Sequence, residues 1–254
     1  MTDKVPRAAL VTGAARRIGR AIALALHRAG YAVAIQANRS VAEAQALRDE
    51  ITRAGGRAAV VRADLSDRAE AAGLVTAAAG AIGALSLLVN NASMFEPDAI
   101  GALDAERFDR QFAVNLRAPL FLAEAFAAQA GAGANASIVN ILDQRVFKLT
   151  PHFVSYTLAK SALHSATRML AQALAPNVRV NAVAPGPTIA SARQQIADFE
   201  RQAAAVPLGH GPSAEEIADA VVYLAKARSV TGATLIVDGG QHLAWQTPDT
   251  GVAE

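Results

Sequence analysis

Short apolar runs recur along the chain and alternate with longer, alanine-rich stretches whose apolar positions return every three or four residues. The runs "RAALVT" (7–12), "YAVAIQ" (31–36), "RAAVVRA" (57–63), "LSLLVNN" (85–91), "ASIVNIL" (136–142), "VRVNAVA" (178–184) and "ATLIVD" (233–238) predict seven strands. Several are apolar almost throughout, the pattern of strands buried on both faces. Between them the spacing predicts helices near 17–29, 41–54, 67–82, 104–130, 153–174 and 213–227. Strand–helix–strand alternation implies parallel pairing through right-handed crossovers. No linker or internal repeat divides the chain, so residues 1–254 read as one doubly wound α/β domain, with "QTPDTGVAE" (246–254) as a polar tail.

Composition narrows the picture. With 52% hydrophobic and 18% charged residues the chain can bury a large core. The formal net charge is only +2 and the Lys and Arg residues are scattered, which speaks against nucleic acid as a partner. The absence of cysteine excludes disulfides, thiolate metal sites and a Cys nucleophile. His27, His152, His164, His210 and His242 do not cluster as metal ligands. "MTDKVPRAALVTG" has no apolar leader run and no later stretch is apolar enough to span a bilayer, so a soluble, cytoplasmic protein is expected.

The first strand runs into Gly13, and a helix begins near Arg17. A helix N-terminus placed there offers free N–H groups and partial positive charge to a phosphate. The glycine spacing is Gly13-x5-Gly19 rather than G-x-G-x-x-G, with Arg17 where a middle glycine is usual. Two readings are open: a phosphate cradle formed by Gly13, Arg16, Arg17, Ile18 and Gly19, or a tight turn with a packing glycine. About twenty residues on, where a carboxylate would bind a ribose 2′-hydroxyl, the chain reads "QANRS". Asn38, Arg39 and Ser40 there favour the 2′-phosphate of NADP(H), although Ser40 also suits a helix cap and Arg39 a solvated loop.

"SYTLAK" places Tyr156 and Lys160 on one helical face. A phenol with a pKa near 10 is a poor acid–base group at neutral pH. A neighbouring ammonium is expected to favour the phenolate and lower that value.

In these residues, and over nearly its whole length, the chain resembles the short-chain dehydrogenase/reductase family. The family's motifs stand in order: "TGAARRIG" (12–19), "RADLSD" (62–67), "NNAS" (90–93), Asn115, Tyr156 with Lys160, "PGPTIA" (185–190) and "VTGATLIVDGG" (230–240). The resemblance implies a seven-stranded parallel sheet, hydride transfer with a nicotinamide, and a tetramer. It implies that Asp64 and Leu65 hold the adenine and that Asn90, Asn91 and Ala92 line the cofactor cleft. Lys160 would hold the nicotinamide ribose, Asn115 a water near Lys160, and Pro185, Gly186 and Thr188 the carboxamide side. Plainer readings stay open: Asp64 as the cap of the helix from 67, and Asn115 as a bend in its own helix.

The departures from the family pattern narrow the substrate. Asp143 in "SIVNILDQRVF" stands where most members carry a Ser that bonds the substrate carbonyl. A carboxylate there opposes a developing alkoxide and suits a substrate whose ring nitrogen takes a proton; a strand-end Asp that merely turns the chain is the alternative. Arg17, Ser93, Phe95 and Asp143 together resemble the pteridine reductase branch, which includes bacterial dihydromonapterin and dihydrofolate reductases. That resemblance implies NADPH-dependent reduction of a C=N bond in a dihydropterin or dihydrofolate. The pterin would be stacked on Phe95, Arg17 and Ser93 would touch both ligands, and Tyr156, Asp143 or a bound water would give the proton. Residues 189–212 would form a lid over the substrate. A family member acting on another carbonyl or imine is the alternative; a non-catalytic NADP sensor fits poorly with intact Tyr156, Lys160 and Asn115.

Overall fold

In the computed structural model, which describes residues 7–130, 135–191 and 193–245, each of the seven apolar runs forms a strand. They are β1 (Arg7–Val11), β2 (Tyr31–Ala37), β3 (Ala58–Arg62), β4 (Leu87–Asn90), β5 (Ala136–Ile141), β6 (Val178–Pro185) and β7 (Thr234–Val237). All pair in parallel, in the order β3-β2-β1-β4-β5-β6-β7. The helices are α1 (Arg17–Arg28), α2 (Val41–Arg53), α3 (Arg68–Ile82), α4 (Ala105–Phe112), α5 (Ala118–Gln129), α6 (Val154–Leu174), α7 (Ile196–Ala204) and α8 (Ala214–Lys226).

The strands are apolar throughout because both faces of the sheet are covered. Along β1, Ala9 and Val11 join a core with Ile22 and Leu26 of α1 and Val221 and Leu224 of α8. Ala8 and Leu10 point the other way and join Leu74 of α3 and Leu122 and Phe126 of α5. Phe126 is fully buried, and a side chain of that kind contributes about 1.5–3 kcal/mol on leaving water.

Three local outcomes differ from the sequence pattern. The single helix expected over 104–130 is broken by a π-helical turn at Ala113–Arg117. Pro119, near the start of α5, has no N–H to give the carbonyl of Asn115 four residues back, which is where the regular ladder gives way. Asp67, not Asp64, caps α3: its carboxylate accepts from the N–H groups of Ala69 at 2.7 Å and Glu70 at 3.0 Å. Within 189–212 a helix forms, α7, none of whose residues is buried. The tail at 246–254, and Ala192 of the 189–212 segment, lie outside the described residues. No helix among the described residues is long and apolar enough to cross a membrane.

The topology fixes where a ligand fits. β1 lies between β2 and β4, so the chain leaves β1 to one side and β4 to the other. Loops that part in this way open a crevice at the carboxyl ends of the two strands.

Candidate active site

The loop after β1 is drawn tight by its glycines. Gly13 takes φ +61°, and a Cβ there would stand 2.8 Å from the Cα of Ala92. A Cβ on Gly19 would stand 2.2 Å from the Gly13 carbonyl oxygen, so the first turn of α1 needs glycine to seat against the loop. The Gly13 N–H donates to Gln36 Oε1 at 2.7 Å, and Gln36 Nε2 donates to the Ala63 carbonyl at 2.8 Å. Ile18 of α1 packs on the core, while exposed Arg16 pairs with Glu43 at 3.6 Å.

Arg17 adopts φ +55°, the left-handed region that glycine enters freely and other residues enter at a cost of about 1–2 kcal/mol. Its guanidinium donates to the carbonyls of Ala190 at 2.6 Å and Ile189 at 2.8 Å. Partial burial, and then the charge of Arg16, hold its pKa below the usual arginine value. The residue that replaces a glycine thus ties the loop after β1 to the segment after β6.

The loop after β4 is laced to the same place. Thr12 Oγ1 accepts from the N–H groups of Asn91 and Ala92, each at 2.9 Å, and Asn91 Nδ2 donates to the carbonyls of Thr12 and Gly13 at 2.8 and 3.1 Å. Asn90 Nδ2 donates to Asn140 Oδ1 at 2.9 Å, and Asn140 Nδ2 to Thr167 Oγ1 at 3.0 Å, linking β4 and β5 to α6. Asn115, fully buried in the π-turn, accepts at Oδ1 from Ser93 Oγ and the Met94 N–H, both at 3.0 Å, and donates from Nδ2 to the Met94 carbonyl at 2.8 Å. Its amide therefore clamps the Ser93–Met94 turn.

At the outer end of the crevice Asp64 accepts from the Ser66 hydroxyl at 2.7 Å and the Ser66 N–H at 2.9 Å. The Ser66 hydroxyl is the main cause of its lowered pKa, with Asn38 as a further donor and Arg39 as a nearby charge. Asn38, Arg39 and Asp64 are thus brought together, and Leu65 is buried beside them. Ser40 stands at the N-cap position of α2 but its hydroxyl makes no capping bond, so the plain capping role is not realised. Beyond β6, the Gly186 N–H donates to the Val237 carbonyl at 2.9 Å and Thr188 Oγ1 to the Gly186 carbonyl at 3.0 Å. A Cβ on Gly186 would lie 2.6 Å from the Asp238 Cα, so Pro185, Gly186 and Thr188 pass close over the end of β7.

Tyr156 and Lys160 project from α6 toward the end of β5. Tyr156 is buried, and its hydroxyl donates to Asp143 Oδ2 at 2.9 Å; Asp143 Oδ1 accepts from the Arg145 N–H at 2.9 Å. Lys160, also buried, donates to the Ile141 carbonyl at 2.7 Å. The expectation that Lys160 lowers the phenol pKa is not met. Burial, then the charge of Asp143 and the hydrogen bond to it, push Tyr156 well above its ordinary value, while Ser93 pulls weakly the other way. Burial also raises Asp143, against the Arg145 N–H and Tyr156 hydroxyl that it accepts, and brings Lys160 down to about 8. The physical reason is desolvation, which favours the neutral form of all three groups.

Phe95 closes the site. Its ring lies edge-to-face with that of Tyr156, centroids 4.7 Å apart, and stacks on Phe153 at 4.2 Å, the planes only 5° from parallel. The Arg145 guanidinium lies 5.0 Å from the Phe153 ring. Among the described residues no group of three or more His, Asp or Glu gathers as a metal site.

A family model described as enoyl-(acyl carrier protein) reductase matches residues 13–242. Pteridine reductase 1 of Leishmania tarentolae is 35% identical over 95% of this chain and 98% of that protein. The chain belongs to the short-chain dehydrogenase/reductase family. An uncharacterized oxidoreductase of Methylorubrum extorquens is 39% identical over 92% of this chain and 97% of its own length. The crystal structure of FolM alternative dihydrofolate reductase 1 from Brucella suis, in complex with NADP, superposes with a TM-score of 0.93 at 52% identity, covering 96% of this chain and 98% of that one.

In this short-chain dehydrogenase/reductase the structure adds residues that the motifs did not single out. Gln36, Asn140 and Thr167 are buried and polar, and they hold the loops of the crevice to the sheet and to α6. A signal existed for two of them, since an amide ends the apolar run "YAVAIQ" and another interrupts "ASIVNIL". Phe153 and Arg145 carried no such signal. Arg193, which donates to the Phe95 carbonyl, lay in a segment too generic to read.

Proposed function

We propose that this protein is an NADPH-dependent reductase of a C=N bond in a dihydropterin or dihydrofolate. The observation that carries the reading is the Asp143–Tyr156 hydrogen bond of 2.9 Å, at the position where a carbonyl reductase keeps a neutral hydroxyl donor. The relatives named for pteridine and dihydrofolate reduction, and the NADP in the Brucella suis structure, support it. The cofactor fits the residues present. Gly13 and Gly19 let the loop after β1 lie tight against Ala92 and Asn91, and the start of α1 that follows would meet the pyrophosphate. Arg39 and Ser40 offer a cation and an uncommitted hydroxyl to a 2′-phosphate, and buried Lys160 has one carbonyl partner and donors to spare for a ribose.

NADPH held by these residues would supply a hydride for the C=N carbon. Phe95, stacked on Phe153 at 4.2 Å, belongs to an aromatic wall against which a flat ring would be positioned, and such positioning contributes several kcal/mol. Ser93, held by Asn115, faces the same place, and Arg17 is within reach of phosphate and ring once it releases the Ile189 and Ala190 carbonyls. The neighbouring nitrogen takes its proton from the Tyr156–Asp143 pair. Burial, then the charge of Asp143 and the hydrogen bond to it, raise Tyr156 well above its ordinary value, so the phenol keeps a transferable proton at neutral pH. We further propose a cytoplasmic homotetramer, supported by Phe121 of α5 and Leu158 and Met169 of α6, large apolar side chains left exposed on the single chain.

The test is NADPH oxidation with dihydrobiopterin and with dihydrofolate, wild type beside Asp143→Ser and Tyr156→Phe. Turnover by wild type, falling about 100-fold or more in both variants, is the expected result. No turnover together with no binding of a folate analogue such as methotrexate would overturn the reading.

A further inference from the structure

The catalytic helix α6 begins without a cap of its own. Phe153, at its N-cap position, is held at φ +58° and ψ +48°, and its hydrocarbon ring has no acceptor for the free N–H groups of the first turn. The missing acceptor comes from 57 residues away in sequence. Asp98, buried in the loop between β4 and α4, accepts from the Ser155 N–H at 3.2 Å and from the Ser155 hydroxyl. The Asp98 backbone carbonyl also accepts from the Phe153 N–H at 2.8 Å, across the point where the chain enters the left-handed region.

Gln111 of α4 completes the cluster. Its Nε2 donates to Ser155 Oγ at 2.6 Å and to the Glu96 carbonyl at 3.3 Å, while its Oε1 accepts from the Glu96 N–H at 3.4 Å. Gln111 and Ser155 are fully buried. One closed network therefore joins two parts of the site: the loop that carries Ser93 and Phe95, and the first turn of the helix that carries Tyr156, the very next residue after Ser155. The Phe95–Phe153 stack lies alongside.

We propose that Asp98 is a positioning residue for the reaction. By capping α6 from the β4–α4 loop it sets the distance between Tyr156 and the Ser93–Phe95 wall, and it holds Phe153 in its left-handed conformation. Its carboxylate is engaged by Ser155 and its carbonyl by the Phe153 N–H, so it acts through the first turn of α6. The proposal rests on the reading of Tyr156 and Asp143 as the proton-handling pair.

The test compares Asp98→Ala, which removes the acceptor, with Asp98→Asn, which keeps the shape and one acceptor oxygen, both loaded with NADP. Amide hydrogen exchange at Ser155 and Tyr156 reads the tether without turnover. In Asp98→Ala it should quicken about fivefold or more, the loss of one good cap, with exchange in β4 and β5 unchanged. Dihydropterin kcat should fall about 10- to 100-fold in Asp98→Ala, with KM for NADPH within about twofold of wild type. Asp98→Asn should restore most of the rate. Unchanged exchange at Ser155 and Tyr156, or a fall in kcat matched by an equal loss of NADPH affinity, overturns the proposal. If Asp98→Ala does not fold, Asp98→Asn and Ser155→Ala, both milder, must show the same split in smaller measure, and its absence overturns the proposal too. A wild type without dihydropterin turnover refutes the functional reading instead, and the exchange rates alone then decide the tether.

Discussion

Tyr156 gives its hydroxyl hydrogen to Asp143, O to Oδ2 at 2.9 Å, across the gap between α6 and the end of β5. A phenol facing a carboxylate is harder to ionise than one facing a neutral hydroxyl, because phenolate and carboxylate repel. Lys160 sits one turn further on with its Nζ 5.8 Å from the Tyr156 ring and donates to the Ile141 carbonyl instead. The pair Tyr156–Asp143 thus stores a proton where Tyr–Lys alone would tend to shed one.

Asp143→Asn keeps the shape and removes the charge, so the Tyr156 pKa should fall. The sign follows from the charged form: phenolate loses a repelling neighbour and becomes easier to form. If Tyr156 must be protonated to act, the alkaline limb of the kcat–pH profile moves to lower pH in this variant. Tyrosinate absorbance, read against Asp143→Asn/Tyr156→Phe, should show the same displacement. An alkaline limb that stays in place or moves upward would refute the coupling.

Arg17 separates conformational strain from contact. Arg17→Ala keeps a Cβ at φ +55° and loses the bonds to Ile189 and Ala190; Arg17→Gly loses the same bonds and relieves the backbone. Arg17→Gly should therefore be the more stable of the two by about 1 kcal/mol in urea unfolding of the ligand-free protein. Both should raise KM for dihydropterin, because neither offers a cation. Equal stabilities, or a more stable alanine variant, would show that the left-handed residue is not strained.

How far the sequence was readable depends on whether a feature is local. All seven strands were, because burial on both faces leaves runs such as "YAVAIQ" with nowhere for a charge. So was Tyr156 with Lys160, whose spacing is a helical repeat. The break at Ala113–Arg117 was announced by Pro119 yet masked by the apolar, alanine-rich pattern around it. Asp98 was invisible, since its meaning comes from Ser155 across the fold. The direction of the Tyr156 shift is hidden in the sequence for a related reason. Helical spacing places an ammonium near the phenol, but burial, which the spacing does not register, and the carboxylate of Asp143 decide its sign.

Lys160 makes the stability of the ligand-free protein depend on pH in a defined direction. Burial lowers its pKa from 10.5 to about 8, and Asp143 offsets this only in part. Between those two values the unfolded chain holds more protons than the folded one, so stability rises with pH across that window. The cost of burying the ammonium is fully present below about pH 8 and fades as the folded lysine gives up its proton. The full difference corresponds to about 3 kcal/mol. Above about pH 10 Tyr156 works the other way, because the unfolded phenol ionises while the buried one keeps its proton. The gain is therefore read between about pH 7 and pH 10, where it should reach about 2 kcal/mol relative to Lys160→Met. Urea unfolding of both proteins at several pH values in that range measures it. Curves that run parallel would mean that the folded lysine titrates at its ordinary pKa and is not desolvated.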